Sequence, residues 1–490
     1  MNRQKGKWLA FFFILLALVF SSIWLTDLTA EQLLFNLHVS MKGANSSAVW
    51  RCLLFACGSS TAVLLAVLYG LKRLREKQPE HWLLRWLRKA AERKRTVTAV
   101  SLIVCLLCMN CNLEFVQFLK NQTVVTTIYQ NEYVAPEKVA YQFPEQKRNL
   151  IYIFLESMEV TYTNGNEGGA RPTDLIPELR GMAQNHVNFS PNSGFGGGYT
   201  LPGTTWTMAA MVGQTSGLPV KLPFDGEKYY SRYAEILPGA WTLGDILEKE
   251  GYNQVVLMGS DSSFAGRGDY FTQHGNYTIN DYTAALGDGR LPEGYHEFWG
   301  YEDRKLFAYA REELLRLAES GEPFNLTMLT VDTHFENGYV CPLCTDENLS
   351  QYANVIRCSS RQTGEFVQWI QQQDFYENTT IIISGDHLSM DSTFFRLIDA
   401  DYDRQVYNCI INPAVENPKM FEKNRIFTTL DMFPTTLAAM GVTFEGERLG
   451  LGTNLFSGVP TLAEEMGLET LTEQVSRHSN YYNYHFLYGH

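Results

Sequence analysis

Apolar positions follow two different patterns along this chain. In the first quarter they form long stretches, each close to the roughly 20 residues that a helix needs to cross a bilayer. From residue 149 onward, short apolar runs alternate with segments of helical periodicity, which is typical of an α/β sheet. The pattern predicts transmembrane helices at residues 8–25, 49–71 and 97–119, and strands at 150–155, 253–258, 325–331, 379–384 and 406–411.

The same pattern predicts how the chain divides into regions. A single simple core would not use all 490 residues, so at least two regions are expected. The predicted regions are a membrane domain with three transmembrane helices at 1–119, a polar linker at 120–148, an α/β domain at 149–460 and a C-terminal tail at 461–490.

Charge between the apolar stretches predicts their orientation. The loop at 72–96 carries ten Lys or Arg against three Glu. Residues 26–48 carry one Lys or Arg, Lys42. Because basic loops stay in the cytoplasm, the N-terminus and the 72–96 loop are expected inside, and everything after the third helix outside. A cleaved signal peptide is the alternative for residues 8–25, but two further apolar stretches favour a retained multi-pass anchor in the cell membrane.

Charge also separates the two parts of the chain. Residues 1–120 carry sixteen Lys or Arg against six Asp or Glu, which leaves 24 against 47, or −23, for the remainder. An acidic body is a poor general binder of polyanions, so nucleic acid is not an expected partner. Any anionic substrate is expected to be small and to be held by a local group of cations.

Ligand-type residues follow two of the predicted strands. Glu156 comes directly after the apolar run at 150–155, and Asp386 and His387 follow the run at 379–384. Carboxyl ends of parallel strands meet at one edge of a sheet, and carboxylate and imidazole groups there suit a divalent metal ion. Polar residues in surface turns are the alternative interpretation.

A hydroxyl group is a candidate for covalent chemistry. The glycine-rich segment at 194–203 leads into a helical pattern that is predicted to begin near Thr204. A threonine there is usually an N-cap, but beside a divalent cation it can act as a nucleophile. Thr205 is the second choice.

Six motifs, in this order, resemble the membrane-anchored phosphoglycerol transferases, a family that includes the lipoteichoic acid synthases: LESM, PGTTWTMAAMVG, LTVDTHF, SGDH, LDMFPTTL and GLGTNL. The likeness covers about residues 145–460. It implies an α/β sandwich of the alkaline-phosphatase and sulfatase type. It also implies one divalent cation, Mn²⁺ in preference to Mg²⁺ or Zn²⁺, held by Glu156, Thr204, Asp386 and His387, with Thr204 as the nucleophile.

The resemblance also implies two substrate-binding residues. His334 would contact the transferred phosphate or assist proton transfer, and the guanidinium of Arg267 would bind phosphate oxygens. A structural histidine and a solvated arginine are the alternatives. In lipoteichoic acid synthases a histidine lies nine positions before this arginine, whereas here the matching residue is Met258, which argues for a different acceptor.

The expected function is transfer of phosphoglycerol from a phosphatidylglycerol-type lipid to an extracytoplasmic glycan, glycolipid or teichoic acid, through a covalent threonine intermediate. A phosphoethanolamine transferase and a phosphodiesterase are alternatives with the same site. A non-catalytic binding or sensor module is a further alternative, and the complete set of ligand-type residues argues against it. No Cys or Ser stands in a C/S-x-P-x-R context, so the sulfatase nucleophile is missing.

Cysteines of the outer part form one further candidate feature. Cys341, Cys344 and Cys358 lie where disulfides are permitted. A disulfide joining Cys358 to Cys341 or Cys344 is the preferred prediction. A zinc site is the alternative, although the sequence shows no evident fourth ligand.

Overall fold

The structure is a computed structural model that describes residues 3–24, 29–38, 46–113, 115–221, 235–347, 350–399 and 401–490. It divides into two compact units. The first comprises Met1–Leu33 and Asn45–Lys120, and the second comprises Leu34–Ala44 and Asn121–His490.

The N-terminal part of the chain is helical. The segment Trp50–Lys77 is 28 residues long and is apolar enough to cross a membrane. Lys94–Asn110 and Phe115–Thr123 reach that length only as a pair bent by 94°, and Lys7–Ile23 is shorter. One helix thus supports a membrane location, and the set of three transmembrane helices stays a prediction. The helices here are Arg3–Trp24, Ala30–His38, Ser46–Lys77, Trp82–Glu92, Lys94–Leu113 and Phe115–Thr123.

Strands of the second unit are short and mostly buried. Those at the centre are rich in β-branched and aromatic residues, which fit a sheet that is covered on both faces. The strands are β1 Tyr141–Gln142, β2 Asn149–Leu155, β3 Asn253–Met258, β4 Thr278–Asn280, β5 Phe324–Leu329, β6 Thr379–Gly385, β7 Asn408–Ile411, β8 Thr443–Phe444, β9 Arg448–Leu449 and β10 Gly452–Thr453.

Six of these strands form one mixed sheet in the order β4-β3-β5-β2-β6-β7. All neighbours are parallel except β7, which runs antiparallel to β6. Side chains alternate across β2: Tyr152 and Phe154 enter one core, whereas Ile151 and Ile153 enter the other. The sheet is therefore the middle layer between two helical layers, as the sequence pattern predicts.

Helices cover both faces of this sheet. Thr207–Ser216 and Met432–Ala439 pack on one face, and Asp303–Glu319 and Gln351–Ile370 pack on the other. The further helices of this unit are Ile128–Asn131, Pro177–Asn185, Leu243–Lys249, Arg267–Gln273, Tyr282–Gly287, Ser392–Phe395, Leu462–Met466, Leu468–Ser476 and Asn480–Tyr482.

The two segments flanking the catalytic region differ from their sequence description as a linker and a tail. Residues from 121 onward belong to the second unit, and Tyr129 is fully buried there. Its hydroxyl donates to the carbonyl of Val475, and its ring packs against Tyr482, 5.0 Å between centroids. The apolar residues that make this contact are few and lie among polar residues. The hydrophobic pattern of the sequence therefore does not predict the contact.

The predicted disulfide is also absent among the described cysteines. Cys341 Sγ lies 3.8 Å from Cys358 Sγ and 3.9 Å from Cys344 Sγ. A disulfide bond would bring two sulfur atoms to about 2.05 Å. The three thiols therefore form a cluster rather than a bonded pair.

Candidate metal centre

The register of two central strands places the first candidate ligands side by side. β2 and β6 are parallel, and Leu155 at the end of one pairs with Gly385 at the end of the other. Glu156 and Asp386 are the next residues in their chains, so they leave the sheet at the same edge. Both side chains are buried, as is that of His387.

Distances confirm that these three side chains converge. His387 Nε2 lies 3.5 Å from Glu156 Oε1 and 3.5 Å from Asp386 Oδ2. One potential ligand atom from each residue lies within 4.8 Å of the others. His387 Nδ1 lies 2.8 Å from the carbonyl of Leu388, which can only accept, so Nδ1 carries the proton and Nε2 presents a lone pair.

The two carboxylate oxygens of Asp386 have different surroundings. Its Oδ1 accepts from the backbone N–H groups of Ser157 and His387, both at 2.7 Å. Its Oδ2 is buried and has no hydrogen-bond partner among the described residues. A buried carboxylate oxygen without a partner is costly, and a cation would satisfy it. The residues therefore fit a divalent metal ion.

Burial and close charged neighbours shift the pKa values of the three converging side chains. Burial, together with the charge of Glu156, raises the pKa of Asp386 to about 7. Burial also opposes ionisation of Glu156, but the nearby His334 and His387, together with hydrogen bonds from the Ser157 and Thr207 hydroxyls, hold the pKa of Glu156 below its ordinary value. Burial would lower the pKa of His387, but Asp386 and Glu156 raise it on balance. A bound cation would favour both ionised carboxylates.

Two hydroxyl groups reach Glu156 at this centre. Ser157 Oγ donates to Oε1 at 2.7 Å, and the second hydroxyl belongs to Thr207. Its Oγ1 donates to Glu156 Oε2 at 3.1 Å and lies 3.4 Å from His387 Nε2. Thr207 is the first residue of the helix Thr207–Ser216, which follows the extended residue Trp206. The helix N-terminus favours negative charge on this oxygen.

Thr204 does not lie in this group, contrary to the sequence prediction. Its Oγ1 accepts from the N–H of Leu201 and donates to the carbonyl of the same residue, both at 2.9 Å. Thr429 Oγ1 donates to it as well, at 3.3 Å. The preceding Gly203 has a positive φ of 80°, so the chain is still turning here, and the helix begins three residues later than predicted.

Sequence reasoning missed Thr207 because it placed the helix start at the first hydroxyl after the glycines. Thr205 also precedes the helix. The useful signal was the apolar run at 208–212, which Thr207 directly precedes, whereas Pro202 and Gly203 are typical of a turn.

His334 lies beside the centre in an aromatic setting. Its ring packs against Trp299 at 4.8 Å and against Phe335 at 5.1 Å between centroids. Its Nδ1 lies 2.6 Å from the carbonyl of Phe335, so Nδ1 carries the proton in the neutral ring. Burial lowers the pKa of His334, with the charge of Glu156 acting in the opposite direction. The neutral ring therefore has its Nε2 free to accept a proton.

Arg267 is buried at the start of the helix Arg267–Gln273. Its Nε donates to the carbonyl of Phe264 at 3.2 Å, and its Nη2 donates to that of Asp261 at 3.1 Å. Burial lowers its pKa to about 10, against the charges of Glu156 and Asp261, so it stays a cation at neutral pH. Arg267 makes no hydrogen bond to the three converging ligands, but it contributes positive charge nearby.

Comparisons with known proteins agree with this architecture. A family model described as Sulfatase matches residues 148–442. Phosphoglycerol transferase I of Shigella flexneri is 31% identical over 336 residues, and that of Citrobacter koseri is 29% identical over 336 residues. Each alignment covers 66% of this chain and 41% of the relative, so the chain matches about two fifths of those proteins.

A solved structure resembles the fold. It is a protein in the alkaline phosphatase superfamily from Vibrio parahaemolyticus, with a TM-score of 0.50 and 20% sequence identity. The match covers 66% of this chain and 72% of the other. The predicted α/β fold of the alkaline-phosphatase and sulfatase type is thereby confirmed.

Proposed function

The chain belongs to the sulfatase family, and from this premise we propose that it is a membrane-anchored phosphoglycerol transferase. Its donor would be a phosphatidylglycerol-type lipid, and its acceptor an extracytoplasmic glycan, glycolipid or teichoic acid. Two relatives named phosphoglycerol transferase I support phosphoglycerol as the transferred group. The observation that carries the proposal is the Thr207 hydroxyl, which stands at a helix N-terminus within hydrogen-bonding distance of Glu156.

Four side chains would hold the cation. They are Glu156, Asp386, His387 and Thr207, with Thr207 in the place that the sequence prediction gave to Thr204. A divalent ion there, Mn²⁺ by preference, would supply Lewis-acid stabilisation of a phosphodiester oxygen and lower the pKa of the threonine hydroxyl. The orphaned Asp386 Oδ2 supports its presence.

The first chemical step would use Thr207 as the nucleophile. Its Oγ1 attacks phosphorus, and its proton passes to Glu156 Oε2, which already accepts the hydrogen bond. The bond from phosphorus to the diacylglycerol oxygen breaks, and that oxygen takes up a proton from water, while Glu156 keeps the proton of Thr207. Phosphoglycerol then remains attached to Thr207 as a phosphodiester.

The second step returns the enzyme to its starting state. An acceptor hydroxyl attacks phosphorus and loses its proton to His334 Nε2, which is unprotonated in the neutral ring. The bond from phosphorus to Thr207 Oγ1 breaks, the threonine oxygen regains its proton from Glu156 Oε2, and His334 releases its proton to water. Arg267 would balance negative charge on the phosphoryl oxygens through both steps.

Membrane attachment would give the site access to its donor. The helix segment Trp50–Lys77 supports an anchor, and the basic loop at 72–96 supports an N-terminus in the cytoplasm. The catalytic unit would then face the outer leaflet, where a lipid donor is available without a soluble carrier.

A donor assay tests this function. The full chain in detergent is incubated with Mn²⁺ and phosphatidylglycerol labelled in its head-group glycerol, and released diacylglycerol and label on an added glycan are measured. We expect both products, and little from phosphatidylethanolamine. Preference for phosphatidylethanolamine would overturn the donor assignment, and release of free glycerol phosphate with no labelled glycan would indicate a phosphodiesterase.

A further inference from the structure

A second cluster of ligand-type side chains lies outside the candidate metal centre. Cys341 and Cys344 belong to the segment that follows β5, and Cys358 lies on the helix Gln351–Ile370. Cys341 and Cys358 are each 2% exposed, and Cys344 is half-buried. Neither the proposed transfer reaction nor the family match assigns these thiols a role.

The spacing of the sulfur atoms is that of a metal-thiolate site. Cys341 Sγ lies 3.8 Å from Cys358 Sγ and 3.9 Å from Cys344 Sγ. Zinc binds thiolates at about 2.3 Å in tetrahedral geometry, which places neighbouring sulfur atoms about 3.8 Å apart. A disulfide would need about 2.05 Å, so two of the three sulfur pairs already have the separation of a tetrahedral site.

The first two cysteines lie in one closed turn. Cys344 N–H donates to the carbonyl of Cys341 at 3.0 Å, which closes the C-P-L-C turn. The turn holds the two sulfur atoms 3.9 Å apart, as a C-x-x-C pair of metal ligands requires.

The helix supplies hydrogen-bond donors to two of the three sulfur atoms, those of Cys341 and Cys358. Gln362 Nε2 lies 3.4 Å from Cys358 Sγ and 3.9 Å from Cys341 Sγ. Arg361 Nη2 lies 3.5 Å from Cys358 Sγ and brings a positive charge. Both groups can only donate, so the cluster is surrounded by donors suited to negatively charged sulfur.

We propose that Cys341, Cys344 and Cys358 form a second metal site that binds a soft divalent ion, Zn²⁺ in the first instance. Three thiolates would bind the ion, and a water molecule would take the fourth position. The ion would tie the segment after β5 to the helix Gln351–Ile370. Because His334 lies seven residues before Cys341, the tie would restrain the segment that carries this candidate catalytic histidine.

The test measures zinc in a background where the first centre is disabled. Full-length His387→Ala protein is purified in detergent without oxygen, loaded with Zn²⁺ and freed of excess metal. We expect about one zinc ion per chain, and X-ray absorption at the zinc edge should show sulfur neighbours at about 2.3 Å. Adding Cys344→Ser or Cys358→Ser should lower zinc affinity at least tenfold. Adding Cys57→Ser, an exposed cysteine of the first unit, should change nothing.

A second measurement keeps the test valid if a serine variant fails to fold. In the protein with only His387→Ala, bound Zn²⁺ should protect the three thiols from alkylation, and a chelator should expose them. A native disulfide between any two of them, zinc without sulfur neighbours, or unchanged zinc in the folded Cys344→Ser variant would overturn the proposal. These readouts do not depend on lipid transfer, so they separate failure of this site from failure of the proposed reaction.

Discussion

At the scale of single residues, the chemistry depends on which threonine hydroxyl reaches the acidic groups. Thr207 Oγ1 is 3.1 Å from Glu156 Oε2, whereas both short hydrogen bonds of Thr204 Oγ1 return to Leu201 in its own turn. Thr204 Oγ1 also accepts from Thr429 Oγ1, so its one proton and both of its lone pairs are already used. We therefore expect substitution of Thr207, rather than of Thr204, to remove activity.

We predict that Thr207→Ala lowers diacylglycerol release from phosphatidylglycerol roughly a thousandfold or more, because it removes the nucleophile. Thr204→Ala is the matched control, since it removes a hydroxyl of the same kind from the neighbouring turn. It should keep activity within about tenfold after its fold is verified by circular dichroism. Equal losses in both variants would contradict the assignment.

His387 provides a prediction about the metal. His387→Ala should lower turnover roughly a thousandfold, because it removes a ligand and with it several kcal/mol of Lewis-acid stabilisation. Excess Mn²⁺ should raise the melting temperature of the parent protein, since a ligand of the native state stabilises it, but not that of His387→Ala. His296→Ala, which alters an exposed histidine, should behave like the parent. An unchanged Mn²⁺ response in His387→Ala would refute the metal centre.

The sequence predicted most of the candidate site but not its hydroxyl. Glu156, Asp386 and His387 could be found because each follows a strongly apolar strand, and parallel strands end at one edge. Choosing among Thr204, Thr205 and Thr207 required the position of the first helical residue. That position depends on how the turn at Gly203 folds, which local sequence preferences do not determine.

At the scale of elements, a buried ion pair holds the segment that follows β6. Arg404 donates to both oxygens of Glu159, at 2.8 Å and 2.5 Å, and Glu159 is fully buried. The N–H of Ser389 donates to Glu159 Oε1 at 3.0 Å, and Arg404 donates to the carbonyl of Ser389 at 2.8 Å. Because Ser389 comes two residues after His387, this pair supports the geometry of the candidate ligand.

We predict that Arg404→Ala lowers the free energy of unfolding by about 3–5 kcal/mol, since it leaves the buried carboxylate of Glu159 without its cationic partner. Arg477→Ala is the control: Arg477 pairs with Glu473, whose side chain is 55% exposed and stays hydrated when its partner is removed. Its loss should cost less than about 1 kcal/mol. Denaturant unfolding of the detergent-solubilised chain measures both changes, and similar values for the two variants would show that the Arg404 pair has no special role.

Strands were easier to predict than the ends of helices. The strand at 253–258 has the same bounds in the sequence prediction and in the structure, because its apolar run coincides with its buried length. The prediction at 325–331 extended too far, since β5 ends at Leu329 and the buried residues after it lie in the following turn. Buried residues thus continue beyond the last paired residue of β5. For this reason the sequence pattern overestimates the length of this strand, which leads into the site.

At the scale of the whole molecule, the account requires a catalytic unit outside the cytoplasm. Ten basic residues in the 72–96 loop against one in residues 26–48 predict this orientation. A reporter enzyme that is active only outside the cytoplasm, fused after residue 120, should be active. The same reporter fused within the 72–96 loop should be inactive, and the reverse result would exclude an outer-leaflet lipid as donor.

The two segments that flank the predicted α/β domain are in contact with each other, which the sequence pattern does not predict. Residues 120–148 and 461–490 were predicted as a linker and a tail, but Tyr129, Val475 and Tyr482 are buried together. Tyr129 and Val475 are hydrogen-bonded although they lie 346 residues apart in the sequence. No local periodicity reports such a pairing, because each partner contributes only isolated apolar side chains.

Mass spectrometry of a trapped intermediate tests the central claim most directly. The full chain is incubated with Mn²⁺ and phosphatidylglycerol in the absence of acceptor, quenched in acid and digested with protease. We expect a phosphoglycerol adduct on the peptide that spans the helix start, with fragment ions placing it on Thr207, and no adduct in Thr207→Ala. An adduct on Thr204 or Thr205, or transfer that continues undiminished in Thr207→Ala, would contradict it.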